Sequence, residues 1–180
     1  MQASGKQSAR IALAAAVLAL LTMAVGSSPA GAAPVGSTAD TIRPAAAGSL
    51  APGWRGDMLR AVNALRADAG VAPLQPCPSL RRAAQGYASV MASTGTFGHM
   101  GPDGTAPWDR MRAQGFRWQA AGENIAAGQR SVDEVMGAWI ASPDHHATLL
   151  DPRMHQVGFG FATGGGRTYW VQDFGQGTGC

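Results

Sequence analysis

The sequence predicts an α+β domain, on two observations. Apolar residues recur at helical spacing through most of the folded region, and two strand patterns joined by a glycine-rich turn close the chain. Helices packed on an antiparallel sheet follow from that order. From Asp57 to Ala69, residues Met58, Ala61, Val62, Leu65 and Ala69 share one helical stripe, and Gly70 supplies a C-cap. Pro78-Ser79 starts a second helix whose stripe is Leu80, Ala83, Ala84, Tyr87 and Met91. Thr94 to Gly104 is a glycine-rich loop with a Pro-Asp-Gly turn at 102–104. Thr105 is placed to cap a short helix carrying Trp108 and Met111, closed by Gly115. Residues 118–127 read as an extended segment. Ser131 to Glu134 forms a capping box before Val135, Met136 and Trp139. Ser142-Pro143-Asp144 starts another helix, with a cap, a proline in the first turn and an acid on the dipole. Val157–Ala162 and Thr168–Phe174 are strands, and the Gly-Gly-Gly between Thr163 and Arg167 turns them into a hairpin.

Of the 180 residues, 46% are apolar and only 14% charged. Much of that bias lies at the N-terminus. Lys6 and Arg10 precede an apolar run from Ile11 to Val25, broken only by Thr22, and Ala30-Gly31-Ala32 follows. This is the three-part plan of a secretory signal peptide, and the run is shorter than the ~20 residues that span a bilayer. The expected organisation is a signal peptide at 1–32, a flexible Ala/Gly/Pro/Ser/Thr linker at 33–53 and a folded domain at 54–180. An uncleaved membrane anchor is the alternative. Without Lys6 and Arg10 the net charge falls from +3 to +1, and no basic run remains, which excludes a dedicated nucleic-acid binder. The mature chain is expected to be secreted, monomeric and without a transmembrane span. Cys77 and Cys180 form an even pair that reads as a disulfide in an exported chain, two separate thiols being the alternative. Such a bridge closes a loop of about 100 residues, worth on the order of 4–5 kcal/mol in the chain-entropy model.

The candidates for chemistry are few, because the chain has four histidines and two glutamates. His99 lies in Phe97-Gly-His-Met-Gly, Glu123 in Ala121-Gly-Glu-Asn-Ile, and His145 in Ser142-Pro-Asp-His-His. Imidazoles titrate near neutrality and ligate metals, so this His/Glu/His set is the most plausible constellation. His145 and His146 point about 100° apart on a helix, so one is expected inward and the other outward. His155 is expected at the surface. No Gly-x-Ser-x-Gly elbow, His-Glu-x-x-His or phosphate loop occurs. Trp108, Trp118, Trp139 and Trp170 could line a groove, but their phasing assigns them to the core.

In order along the chain come Asn63-Ala-Leu-Arg66, Phe97-Gly-His99, Gly104-Thr-Ala-Pro-Trp-Asp-Arg-Met111, Ala121-Gly-Glu-Asn-Ile-Ala126, Trp139-Ile-Ala-Ser-Pro-Asp-His145, Val157-Gly-Phe-Gly160 and Tyr169-Trp-Val-Gln-Asp-Phe-Gly175. Together they make residues 57–175 resemble the CAP superfamily of cysteine-rich secretory, antigen 5 and pathogenesis-related proteins, in its compact bacterial branch. The resemblance implies a three-layer α-β-α sandwich with a central antiparallel sheet and a cleft. It implies cleft roles for His99, Glu123 and His145, with His99 and His145 the candidate ligands of Zn or another divalent cation. The family's second acid is replaced by Ser142, and Thr148 stands where an Asn is common. Three functions are then in view: non-catalytic binding of a lipid or cell-envelope component, metal-dependent hydrolysis of peptide or cell-wall bonds with Glu123 as base, and a structural or adhesive extracellular module.

Overall fold

The computed structural model describes residues 50–180. The expected signal peptide and residues 33–49 of the expected linker lie outside them. Among the described residues five helices and four strands follow in the order α1 (Trp54–Asp68), β1 (Gln75–Pro76), α2 (Pro78–Thr94), α3 (Pro107–Ala113), β2 (Arg117–Ala127), α4 (Val132–Ala141), α5 (Pro143–Leu149), β3 (Gln156–Gly164) and β4 (Arg167–Thr178). The sheet order is β1-β3-β4-β2, so β2 is a free edge. Three strands are antiparallel, as expected. The sheet is nevertheless mixed, because β1 runs parallel to β3 through Gln75 and Pro76. Two residues carry no period-2 signal, which is why this strand escapes a reading of the sequence. No helix among the described residues is long and apolar enough to cross a membrane.

Helices cover both faces of the sheet, giving the three layers. On one face Met58 and Val62 of α1, Trp139 of α4 and Leu149 of α5 meet Trp170 and Phe174 of β4 in one core. Leu50 and Trp54 pack against its rim. On the other face Ala84, Tyr87 and Met91 of α2 meet Ile125 and Val171, and Leu80 and Met111 join Phe116 below them. The anticipated α2 stripe is buried throughout. The helix lies unusually close to β3 because β3 offers glycines there. A Cβ on Gly158 would stand 2.1 Å from the Arg81 nitrogen, and one on Gly160 2.1 Å from the Ala84 oxygen. The β3–β4 hairpin turns through Gly165 and Gly166, both left-handed (φ 57° and 74°), as a two-residue turn of that hand requires.

Several local expectations change. The first helix begins at Trp54, three residues before the apolar stripe marks it. Thr105 does not cap α3: its hydroxyl donates to Asp103 Oδ1 (2.7 Å), and Ala106 occupies the N-cap position. Trp139 and Trp170 are buried, but Trp108 and Trp118 are exposed: α3 presents Met111 rather than Trp108 to the core, and Trp118 lies in the exposed start of the edge strand β2. Ser131 caps α4 through its hydroxyl, which accepts from the Glu134 amide (3.1 Å).

Two residues of the Asn63–Arg66 stretch tie α1 to the loops. Asn63 pairs with the Leu74 backbone in both directions (2.8 and 3.1 Å). The Arg66 guanidinium is fully buried and donates to the carbonyls of Ala72, Leu149, Asp151 and Met154. Burial lowers its proton affinity, opposed by the Asp151 carboxylate. The disulfide joins Cys77 to Cys180, and the Ser79 hydroxyl donates to the Gly179 carbonyl, so the C-terminus is fastened to the start of α2.

Candidate functional site

The site is built on the free edge strand. Alternation along β2 sends Glu123 to the α2/α3 face and Asn124 to the α1/α4 face. Glu123 is almost wholly enclosed, with 2% of its side chain exposed, and each of its oxygens has a partner. Oε1 is 2.7 Å from His99 Nδ1, and Oε2 accepts from the Arg110 guanidinium at 2.7 Å. With Glu123 ionised, His99 Nδ1 carries the hydrogen of this bond, which leaves Nε2 as the free ring nitrogen. The His99 side chain is half exposed.

Arg110 organises the surroundings. One of its nitrogens donates to the carbonyls of His99 (3.1 Å) and Thr105 (2.9 Å), clamping both ends of the 99–105 loop. Its guanidinium stacks on the Tyr87 ring, 3.4 Å from the centroid. The Tyr87 hydroxyl in turn lies against the carbonyls of Gly98 and Met100. Burial raises the proton affinity of that hydroxyl, with Arg110 opposing. So the histidine loop is held by a Tyr–Arg–Glu stack, and the sequence alone singles out neither Tyr87 nor Arg110 for it. Tyr87 reads as core, and the helical pattern around Arg110 marks only Met111. The signal was the unbroken Asp-Arg-Met stretch.

His145 enters from α5. The buried Asn124 amide donates to its carbonyl (3.2 Å) and also lies against Gln172 Oε1 (3.3 Å), which positions the helix start on the sheet edge. Burial, then the nearby His99, lower the proton affinity of His145, and Asp144 partly offsets them. The two histidines therefore sense one another, while the direct contact is between His99 and Glu123. His145 and His146 are both half-buried, so exposure does not separate them, and His155 is exposed. Ser142 N-caps α5 without a side-chain bond.

No group of three or more His, Cys, Asp or Glu side chains is gathered as a metal centre among the described residues. One nitrogen of His99 is engaged with Glu123, and Glu123 is paired with the Arg110 cation and enclosed. The donors present are thus two imidazoles, one fewer than the three protein ligands of a catalytic zinc, and they do not fit such a centre. Around the loop the surface is apolar. Phe97 and Met100, on either side of His99, are 49% and 57% exposed. The Arg167 guanidinium stands 5.5 Å over the Phe97 ring. A separate cleft of about 370 Å³ opens between α2, the 101–105 loop and α3, lined by Tyr87, Val90, Asp103 and Arg110 but by none of His99, Glu123 and His145.

Residues 59–174 match the family model for CAP, the cysteine-rich secretory protein family. Among curated proteins, the uncharacterized protein YkwD of Bacillus subtilis is 35% identical over 112 residues, covering 62% of this chain and 43% of its own length. The chain thus spans less than half of that relative. Among solved structures, an outer surface protein of Borrelia burgdorferi superposes with a TM-score of 0.65 at 22% identity, over 73% of this chain and 98% of its own. An extracellular protein of Bacillus anthracis containing an SCP domain gives 0.61 at 23% identity, over 72% of this chain and 45% of its own. These likenesses share the α-β-α fold described above.

Proposed function

The chain belongs to the cysteine-rich secretory protein (CAP) family, and on that premise we propose that it is an exported, non-catalytic module that binds a lipid-like component of the cell envelope at the His99 loop. One observation carries the reading: His99 offers a free ring nitrogen between two exposed apolar side chains, with the Arg167 cation alongside. An amphipathic ligand with an anionic or hydroxylated head would use all of these. Exposed apolar groups of this size in a cluster mark contact sites. Export is supported by the Cys77–Cys180 disulfide, which suits an oxidising compartment, and by the extracellular and outer-surface relatives. Hydrolysis finds less support. A general base must be reached by the water it activates, and the Glu123 side chain is 2% exposed, with His99 and Arg110 against its oxygens. Two imidazoles also fall short of a catalytic metal centre.

The test is co-sedimentation with vesicles of phosphatidylglycerol and phosphatidylethanolamine. Wild-type protein is expected to sediment with them, and Phe97→Ala/Met100→Ala to lose at least tenfold in affinity. His99→Ala should lose a smaller factor. Absence of wild-type binding, or equal binding by the double variant, overturns the reading. Zinc content measured after purification without chelator is expected to be well below one per chain. One zinc per chain, lost in His99→Ala, would restore the metal-dependent alternative.

A further inference from the structure

We propose that Asp173 is a further member of this site, a neutral carboxylic acid that donates a hydrogen bond to Glu123, so that two acids on neighbouring strands share one proton behind His99. The register places them together: Asp173 of β4 is directly opposite Glu123 of β2, and directly opposed residues of an antiparallel pair project from the same face. Asp173 is 1% exposed. Among the described residues neither of its carboxyl oxygens has a hydrogen-bond donor, although Asp173 is almost fully enclosed. A buried carboxylate without a single donor is among the costliest arrangements a protein can hold. The cost disappears if the group keeps its proton, because Glu123 lies directly opposite on the neighbouring strand and is an acceptor.

The charge count on this face leads to the same place. Glu123 faces Asp173 from β2, and Arg110 faces it from α3 with Tyr87 of α2 stacked beneath the guanidinium. On its other side β3 contributes Gly158, which has no side chain and is roofed by the backbone of α2 at Leu80 and Arg81. One cation therefore meets two acids. Arg110 binds Glu123 directly and gives Asp173 no hydrogen bond. Burial raises the proton affinity of Asp173 most, the Glu123 charge adds to it, and Arg110 does not cancel them. A single proton between the acids leaves one negative charge against one positive charge, which is what a dry site tolerates. Asp173 is thus a positioning residue: it fixes Glu123 from the neighbouring strand while His99 and Arg110 hold its two oxygens. This inference is independent of what ligand the His99 loop takes.

Side-chain carboxyl carbons of the whole protein, labelled with ¹³C at aspartate and followed by NMR, test it. At pH 7 the Asp173 resonance is expected at the position of a protonated acid, moving only well above the ordinary carboxylate range. An ionised Asp173 between pH 5 and pH 8 overturns the proposal. Glu123→Gln removes the neighbouring charge and lets Asp173 pair with Arg110, so its titration should move to lower pH; no movement would refute Glu123 as its partner. Unfolding profiles give a second reading. The folded-state proton affinity of Asp173 is raised, so its contribution is fully present below the unfolded carboxyl value of about 3.9 and is lost as pH rises through the folded value. Asp173→Asn stays neutral at every pH. The Tm difference between Asp173→Asn and wild type should therefore shift in favour of the variant from pH 4 to pH 8. A shift in the opposite direction overturns the proposal.

Discussion

Arg110 shows how one side chain converts a loop into a site. It satisfies two carbonyls of the 99–105 loop, stacks on Tyr87 and neutralises Glu123. Each of these alone is modest, but the Glu123 side chain is 2% exposed and that of Arg110 12%, so the pair is shielded from screening solvent. Removing one member of a buried ion pair costs more than the pair is worth, because the survivor is left charged and dry. Arg110→Ala is accordingly expected to lower the unfolding free energy by about 3–5 kcal/mol in urea titration. Arg110→Lys should recover part of it only, since an ammonium lacks both the fork and the flat face. A loss under about 1 kcal/mol would show the pair to be electrostatically idle. Glu123 and His99 were legible in the sequence as rare titratable residues in glycine-rich surroundings. Arg110 was not, being one arginine among many, and neither was Asp173, whose partner lies fifty positions away. Hydrogen-bond partners at that separation are set by strand register, which no local pattern reports.

At the scale of elements, the helix–sheet spacing is set by glycine. Gly158 and Gly160 on β3 let the α2 backbone approach so closely that any Cβ there would overlap it. Gly158→Ala must push α2 away from the sheet, with Leu80 and Ala84 moving along with it. A loss of about 1–3 kcal/mol or more is expected in chemical denaturation. Gly137 makes the contrast: it lies exposed within α4 with nothing near its missing Cβ, so Gly137→Ala should stabilise by about 1 kcal/mol. Equal effects at the two positions would remove the packing explanation. Sequence periodicity delivers α1, α2, α4 and the hairpin within a few residues of their ends. It fails at β1, where two residues carry no period, and at the cap of α3, where Thr105 turns instead to Asp103. It also places Trp108 and Trp118 in the core, since periodicity identifies a face without saying whether a partner covers it.

For the molecule as a whole, the Cys77–Cys180 bridge spans a sequence separation of 103 and holds the end of β4 against α2. Its main effect is on the unfolded chain, whose freedom it restricts. Reduction, or Cys77→Ser/Cys180→Ser, is expected to cost about 4–5 kcal/mol, read as a fall in Tm of many degrees with the fold retained at low temperature. An unchanged Tm would mean that the unfolded ensemble is already compact. What the sequence determined by itself is the fold class, the order of the helices and the longer strands, and the family resemblance, with the cysteine pair as an expectation the structure bears out, because apolar period, turn residues and ordered motifs are local properties written along the chain. The tertiary structure alone decided that β1 runs parallel, that Trp108 faces solvent, that Glu123 is enclosed with a partner on each oxygen, and that Asp173 stands directly across from it. Those outcomes depend on which strands are neighbours and in what register. Burial and proton affinity are set by the sum of everything packed around a group, and that sum exists only once the chain has folded.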